Sequence, residues 1–268
     1  MDEKGMAGYS AGAELGRLHR GLGLLEFART KELLLACLPP LPACVLDIGG
    51  AYGEYAFWLA ELGCEVYLFD LVPEHIRRAR VRNESATRKL AGADVADARR
   101  IPMAASSADA ILLLGPLYHL PERSNRAAVL SECRRLLKPG GVLIAAHIVP
   151  WAPLLDNVIH YDEDPRLDDG AIFSRLAETA RTGLHNGKVI GEMYFHRPEE
   201  ARVEIIAAGF DDVTLHGVIG PCWAVRNLDE AWSDEGKRET LLNVIRLLDG
   251  EESLLGFSTH FVSISRNA

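Results

Sequence analysis

The chain has 268 residues, 48% of them hydrophobic, which suffices for one large domain with a sizeable core. Its 29 basic and 38 acidic side chains leave a formal charge of −9. That balance argues against a nucleic-acid partner, because a phosphate backbone demands a basic footprint. No apolar run approaches the roughly 20 residues that span a bilayer, so no membrane partner is expected either.

Residues 1–11 are polar and glycine-containing and are expected to be mobile unless a ligand orders them. Residues 14–38 read as helix, broken into two pieces at Gly21-Leu22-Gly23 and stopped by Pro39-Pro40-Leu41-Pro42. This divides the chain into an N-terminal helical cap, 1–42, and a main domain, 43–268. The apolar run 45–48 is a buried strand; Gly49, Gly50 and Gly53 allow a tight turn; and 55–62 has a helical pattern. A strand, a glycine turn and a helix place backbone N–H groups and a helix N-terminus beside a bound ligand. The next run, 65–69, ends in Asp70, whose carboxylate can accept from both hydroxyls of a ribose. An adenosine-containing cofactor is predicted on these grounds. The dinucleotide template Gly-x-Gly-x-x-Gly fails, because the spacing is Gly49-Gly50-x-x-Gly53.

A helix opening with Pro73 and Glu74 follows, and its Arg77, Arg78, Arg80 and Arg82 fit a solvated face. Then come the segment Asp97-Ala98-Arg99-Arg100-Ile101-Pro102 and an apolar strand over 107–115. That strand runs into Pro116-Leu117-Tyr118-His119-Leu120. A helix over 126–137 leads to Leu137-Lys138-Pro139-Gly140-Gly141, a turn before a fifth strand. The alternation of strand and helix argues for a parallel sheet covered on both faces. Beyond 149 the rhythm changes. The excursion 150–198 holds a short helix at 154–159, an acidic turn Asp162-Glu163-Asp164-Pro165, a longer helix at 168–182 and an extended piece at 188–195. A helix over 198–208 ends at Gly209, 210–218 reads as a sixth strand, 220–256 is a second helical excursion, and 258–265 is a final strand. The two excursions are expected to form lid insertions. No internal repeat or low-complexity tract is present. The five cysteines, Cys37, Cys44, Cys64, Cys133 and Cys222, form no Cys-x-x-Cys pair, and no secretory leader is apparent. Free thiols in a reducing cytoplasm are expected. The sequence sets no oligomeric state.

Asp47-Ile48-Gly49-Gly50-Ala51-Tyr52-Gly53 resembles the Asp-x-Gly-x-Gly-x-Gly motif of class I S-adenosylmethionine-dependent methyltransferases, with Ala51 where the middle glycine is usual. The segment from Asp97 to Pro102 resembles the family's Asp-Ala-x-x-Leu-Pro, and the Leu-Lys-Pro-Gly-Gly turn is among the recognisable features of its small-molecule members, the bacterial type 11-like branch. The resemblance implies an α/β, Rossmann-like seven-stranded sheet with helices on both faces. Its seventh strand would be antiparallel, between the fifth and sixth. It also implies S-adenosylmethionine as cofactor, held by Asp47, Gly49, Gly50, Gly53, Asp70, Leu71, Leu114 and Gly115. Asp97 would accept from the adenine amino group while the Ala98 amide donates to the ring. Asp94, three residues earlier, is a rival for that role. The leading pattern of Tyr9, Arg17-Leu18 and Leu25-Glu26-Phe27-x-Arg29-Thr30 resembles a branch whose first helix caps the cofactor, with Arg17 or Arg29 on the methionyl carboxylate. The same residues fit an amphipathic helix packing through Leu18, Leu22, Leu25 and Leu33.

The implied reaction is in-line methyl transfer to an oxygen or nitrogen of a small organic acceptor, giving S-adenosylhomocysteine. Proximity of nucleophile and methyl group can supply roughly 7–11 kcal/mol of the barrier. An acceptor that must lose a proton calls for a base, and His119 and His147, at the ends of the fourth and fifth strands, are the candidates. Tyr118, Trp151, Tyr194, His196 and Trp223, with His160 and Tyr161, would line a pocket under the lid and suit a planar or aromatic acceptor. No tight His-x-x-x-His spacing appears, so no metal is expected. Two other readings stay open: a relative that binds S-adenosylmethionine without methyl transfer, for which Ala51 and the lack of a clear base are the motives, and a non-catalytic binding module.

Overall fold

The computed structural model describes residues 3–162, 164–187 and 190–268. Glu163 of the acidic turn, and Lys188 and Val189 of the extended piece, lie outside the described residues. In chain order the elements are α1 (Glu3–Ser10), α2 (Leu22–Cys37), β1 (Cys44–Ile48), α3 (Glu54–Leu62), β2 (Glu65–Asp70), α4 (Pro73–Ser85), β3 (Gly92–Val95), β4 (Ala108–Leu113), α5 (Arg123–Leu136) and β5 (Leu137–Ile148). They continue as α6 (Ala152–Ile159), α7 (Gly170–Thr182), β6 (Leu184–Gly187), β7 (Gly191–Tyr194), α8 (Pro198–Ala207), β8 (Phe210–Gly217), α9 (Leu228–Ser233), α10 (Glu235–Leu248), α11 (Glu252–Leu255) and β9 (His260–Asn267).

Seven strands form one sheet in the order β3-β2-β1-β4-β5-β9-β8. The pairs from β3 to β5 are parallel, whereas β9 runs antiparallel to both β5 and β8, as expected of the last strand. The parallel strands are buried on both faces and so read as unbroken apolar runs. Their side chains alternate between two cores. Val45, Val66, Leu68, Leu112 and Ile144 pack on one side with Leu33 and Leu34 of α2 and Ala56 and Leu59 of α3. Leu46, Ile48, Ile111, Leu113 and Leu143 pack on the other with Val129, Leu130 and Cys133 of α5 and Ile205 of α8. Strand order reverses between β1 and β4, and α/β sheets bind ligands outside the carboxyl ends of strands at such a point.

Several expectations change. Residues 3–10, read as mobile, form α1. The helix expected over 14–38 starts only at Leu22, because Gly16 and Gly21 sit at φ +68° and +51°; a 3-10 turn, Arg17–His19, fills the gap. Within the extended piece, Gly191–Tyr194 form the second strand of a hairpin. Its partner β6 was not anticipated, since Leu184-His185-Asn186-Gly187 shows no alternation of apolar and polar residues. This hairpin is an independent two-stranded sheet. Its strand β7 packs against α1 and against the 3-10 turn Pro116–His119 that follows β4.

Candidate functional site

The turn after β1 is set by its backbone. Gly49, Ala51 and Gly53 have φ of +75°, +49° and +82°, in the left-handed region. The Gly49 amide donates to the Phe69 carbonyl of β2 at 2.7 Å, tying the turn to the neighbouring strand. A Cβ on Gly49 would come within 2.5 Å of the Pro116 ring, and one on Gly50 within 2.4 Å of the Asp47 carboxylate. Only glycine fits either place. Ala51 adopts the conformation a glycine would take, and its amide donates to Asp70 Oδ2 at 2.9 Å. The departure from the family motif therefore leaves the turn intact. A left-handed alanine costs roughly 1–2 kcal/mol, and glycine costs about 0.5–1 kcal/mol in unfolded-state entropy. Ala51→Gly should thus leave the melting temperature unchanged or raise it by up to about 6 °C. A clear fall in a thermal melt would mean that the turn needs the methyl group for packing.

This turn forms the floor of a cavity at the carboxyl ends of β1, β2 and β4. Its walls bring together Tyr9, Arg17, Asp47, Gly49, Gly50, Asp70, Leu71, Asp97, Ala98, Leu114, Gly115, Tyr118 and His119 from the residues singled out in the sequence. Gly53 shapes the turn without facing the cavity. Asp94 is absent from the walls and pairs with Arg80 at the surface. Asp97 is held by Arg99, whose guanidinium keeps its carboxyl below the usual range.

Asp47 is fully buried, and neither of its oxygens has a hydrogen-bond partner among the described residues. Burial, with a smaller push from Asp70, raises its pKa to about 7; the Ala56 amide, outside hydrogen-bonding geometry, offsets this only in part. Also in the wall, Arg17 donates to Glu26 through both terminal nitrogens, at 2.6 and 2.9 Å, and to Glu14 through Nε at 2.7 Å. Burial raises the Glu14 pKa in spite of Arg17. For Glu26, burial is outweighed by Arg17 and His260, and its pKa is lowered. Helix α1 brings Tyr9 over the cavity as a roof residue. Its Tyr9 hydroxyl lies 2.9 Å from His119 Nε2, with the rings edge to face at 5.2 Å.

Other candidates lie elsewhere. Arg29 pairs with Glu32 and with Asp249, at the end of α10, away from the cavity. His147 is enclosed in the sheet: its Nε2 donates to Ser263 Oγ at 2.9 Å, its ring stacks on Phe261, and burial drives its pKa well below the ordinary value, so it is a neutral structural imidazole. Register decides this, because residue 147 faces Phe261 of β9 across the pair. Trp151 donates to the Gly256 carbonyl and Trp223 to that of Phe257. His196 donates to Glu204, and Tyr194 lies 3.9 Å from the Arg126 guanidinium and donates to Glu200. None of these four lines the cavity. The excursions expected to roof the acceptor thus contribute no wall among their described residues. Through β7 the first instead buttresses α1 and the His119 turn. His160 and Tyr161 are exposed and bonded locally, to the Asp156 carbonyl and to Asp168. Among the wall residues to which sequence reasoning gave no role are Glu14, Tyr52, Glu54 and His75. No group of three or more His, Cys, Asp or Glu side chains among the described residues is placed to hold a metal ion.

Residues 46–145, from β1 into β5, match the family model of a methyltransferase domain. Over those residues the chain carries a methyltransferase domain, and its seven-stranded fold is that of the class I S-adenosylmethionine-dependent methyltransferases. Among its relatives are the methyltransferase GfsG of Streptomyces halstedii, 36% identical over 115 residues (42% of this chain and 40% of the relative), and the ubiquinone biosynthesis O-methyltransferase of Xanthomonas axonopodis pv. citri, 35% identical over 117 residues (42% and 46%). The chain spans less than half the length of these relatives. Among solved structures, a methyltransferase from Methanosarcina mazei superposes with a TM-score of 0.57 at 18% identity, covering 87% of this chain and 96% of that one. At that identity the likeness speaks for the fold. The cofactor of the methyltransferase domain is S-adenosylmethionine, and two features of the cavity fit it. Asp47 presents an unpaired buried carboxylate to a cation, and Gly49 and Gly50 keep the floor clear where a Cβ would collide. Among the described residues no helix is long and apolar enough to cross a membrane.

Proposed function

We propose that the protein transfers a methyl group from S-adenosylmethionine to an oxygen or nitrogen atom of a small organic acceptor. The observation that carries this reading is Asp47, a fully buried carboxylate without a partner at the base of the glycine turn. Around it the cavity walls hold six carboxylates, Glu14, Glu26, Asp47, Glu54, Asp70 and Asp97, against two arginines, Arg17 and Arg99. Such a balance favours a cationic ligand over a neutral one. When bound, the cofactor supplies a methyl group on a cationic sulfur, an electrophile that needs no covalent help from the protein.

The chain's own residues then have positioning tasks. Asp97 and the Ala98 amide are suited to the adenine, Asp70 to the ribose, and the spare N–H groups of Arg17 to the methionyl carboxylate. The roof helix, through Tyr9 and His119, excludes water and strengthens electrostatics inside. His119 holds its imidazole against the Tyr9 hydroxyl, where it can take a proton from an acceptor hydroxyl or amine. Tyr118, whose hydroxyl donates to the Leu114 carbonyl, closes the acceptor side. We place the protein in a reducing cytoplasm, since all five cysteines are free thiols.

Titration calorimetry with S-adenosylmethionine, followed by incubation of methyl-labelled cofactor with cell extract, tests the proposal. Binding with transfer of label to a small molecule is the expected result. Absence of binding would overturn the cofactor assignment, and tight binding with label never leaving the cofactor would overturn methyl transfer.

A further inference from the structure

We infer that His75 is a cofactor-binding residue, its Nε2 taking one hydroxyl of the adenosyl ribose while Asp70 takes the other; this rests on the cofactor reading above. The argument begins with how much of Asp70 remains free. An ionised carboxylate offers about four acceptor positions. In Asp70 three are filled from within the protein. Oδ1 accepts from the Val72 amide at 2.8 Å and from His75 Nδ1 at 3.1 Å, and Oδ2 accepts from the Ala51 amide at 2.9 Å. One position is left for a ligand that presents two neighbouring hydroxyls.

His75 supplies the second. Because Asp70 can only accept, the bond at Nδ1 places a proton there, and in that tautomer of a neutral imidazole the lone pair lies on Nε2. His75 is 2% exposed, it lines the cavity, and its Nε2 has no hydrogen-bond partner among the described residues. The ring cannot easily turn away. It stands edge to face against Tyr52 at 4.6 Å and against Tyr9 of the roof at 5.9 Å. A buried acceptor left unmade is costly, and a ribose hydroxyl is a donor of the right kind to meet it. His75 lies in the first turn of α4, so a single carboxylate at the end of β2 anchors the glycine turn, the start of α4 and the imidazole together.

Asp70→Ala would break all three internal bonds as well as any ligand contact, so it cannot test the assignment. His75→Asn can, since the asparagine Nδ2 stands where Nδ1 was and can still donate to Asp70, while nothing replaces Nε2. Calorimetry would use S-adenosylhomocysteine and its 2′-deoxy and 3′-deoxy analogues. For S-adenosylhomocysteine, His75→Asn should lose about tenfold in affinity, as one hydrogen bond predicts. One deoxy analogue should bind the parent about tenfold more weakly than S-adenosylhomocysteine does, yet show no such penalty on the variant; the other should be penalised equally on both. The ligand-free melting temperature of the variant should stay within a few degrees of the parent's. Unchanged affinity in His75→Asn, or two deoxy penalties that persist undiminished in it, overturns the inference while leaving the cofactor reading standing. Failure of the parent to bind S-adenosylhomocysteine overturns that reading, and this one with it.

Discussion

Replacing Asp47 with asparagine is expected to raise the melting temperature of the ligand-free protein at pH 8 and to remove most of its response to S-adenosylmethionine. The folded-state pKa of Asp47 is about 7, against an ordinary value of 3.8. Below 3.8 the carboxyl is protonated in both the folded and unfolded states and contributes no pH-dependent term. Between 3.8 and 7 the unfolded chain releases the proton that the folded chain keeps, so folding loses roughly 1.4 kcal/mol per pH unit. Above 7 the whole penalty is in place, on the order of a few kcal/mol. The asparagine escapes that penalty but leaves its own amide unpaired, at about 1–3 kcal/mol. The net gain at pH 8 should be a few degrees, at about 2–4 °C per kcal/mol, and it should vanish or reverse below pH 4. Cofactor at 100 times its dissociation constant stabilises the parent by about 2.7 kcal/mol. With no carboxylate to meet the cation, the variant should show little of this. Thermal melts at pH 4, 6 and 8, with and without cofactor, read both signs. A variant less stable than the parent at pH 8 would mean that Asp47 has a partner in the folded protein.

The largest loss of stability should follow Arg126→Leu. Arg126 is 2% exposed and satisfies four acceptors. It donates to both oxygens of Glu204 at 2.9 and 2.6 Å, to the Leu120 carbonyl at 2.9 Å and to that of Pro121 at 2.7 Å, while Tyr194 lies across its face. Leucine fills much of the volume but leaves the partly buried Glu204 with only His196 and the more distant Arg123, and strips two carbonyls of their donor, a change approaching the roughly 3–5 kcal/mol of a broken buried pair, or a drop of up to about 20 °C. Burial opposes ionisation of Glu204, but the bonds from Arg126 and His196 overcome it and hold its pKa near 2. Its stabilising contribution is therefore complete above the ordinary 4.5 and lost as pH falls toward 2. The deficit of the variant should shrink over that interval. Arg126→Leu combined with Glu204→Leu should recover part of the loss, because no buried charge is then stranded. If Arg126→Leu alone melts within 2 °C or so of the parent, the guanidinium is not the anchor that these distances describe.

How much of this was legible in the sequence differs from element to element. The strand 44–48, the glycine turn and Asp70 could be read because a buried parallel strand shows as an unbroken apolar run and left-handed turns demand small residues. The last strand and its antiparallel place were legible through the family resemblance. Helix α1 was not, because eight residues with no strong apolar face are held by what they pack on, namely β7 and α4. The roles of the aromatic residues were not legible either. Composition shows that Trp151, Tyr194 and Trp223 will be buried somewhere, but which cavity they fill depends on how the excursions fold back. His147 and His119 look alike in sequence, each at the end of a strand. One is sealed by cross-strand pairing with Phe261, and the other is carried into the cavity by the turn that follows β4. His75 stayed hidden because its partner lies five residues away around a corner, a spacing that neither helix nor strand periodicity flags.

The position of β9 has a consequence for how the chain reaches this structure. The strand that comes last in sequence is not an edge: it lies between β5 and β8 and pairs Val142 with Arg266 and Phe210 with Asn267. Strand β8 joins the sheet only through it. The five parallel strands can assemble in chain order through nearby crossovers, but the remaining side must wait for a segment more than a hundred residues downstream of β5 to arrive and wedge itself in. Closing so long a loop is slow. Refolding should thus have two stages, with the region that binds the cofactor gaining structure before the sheet is closed.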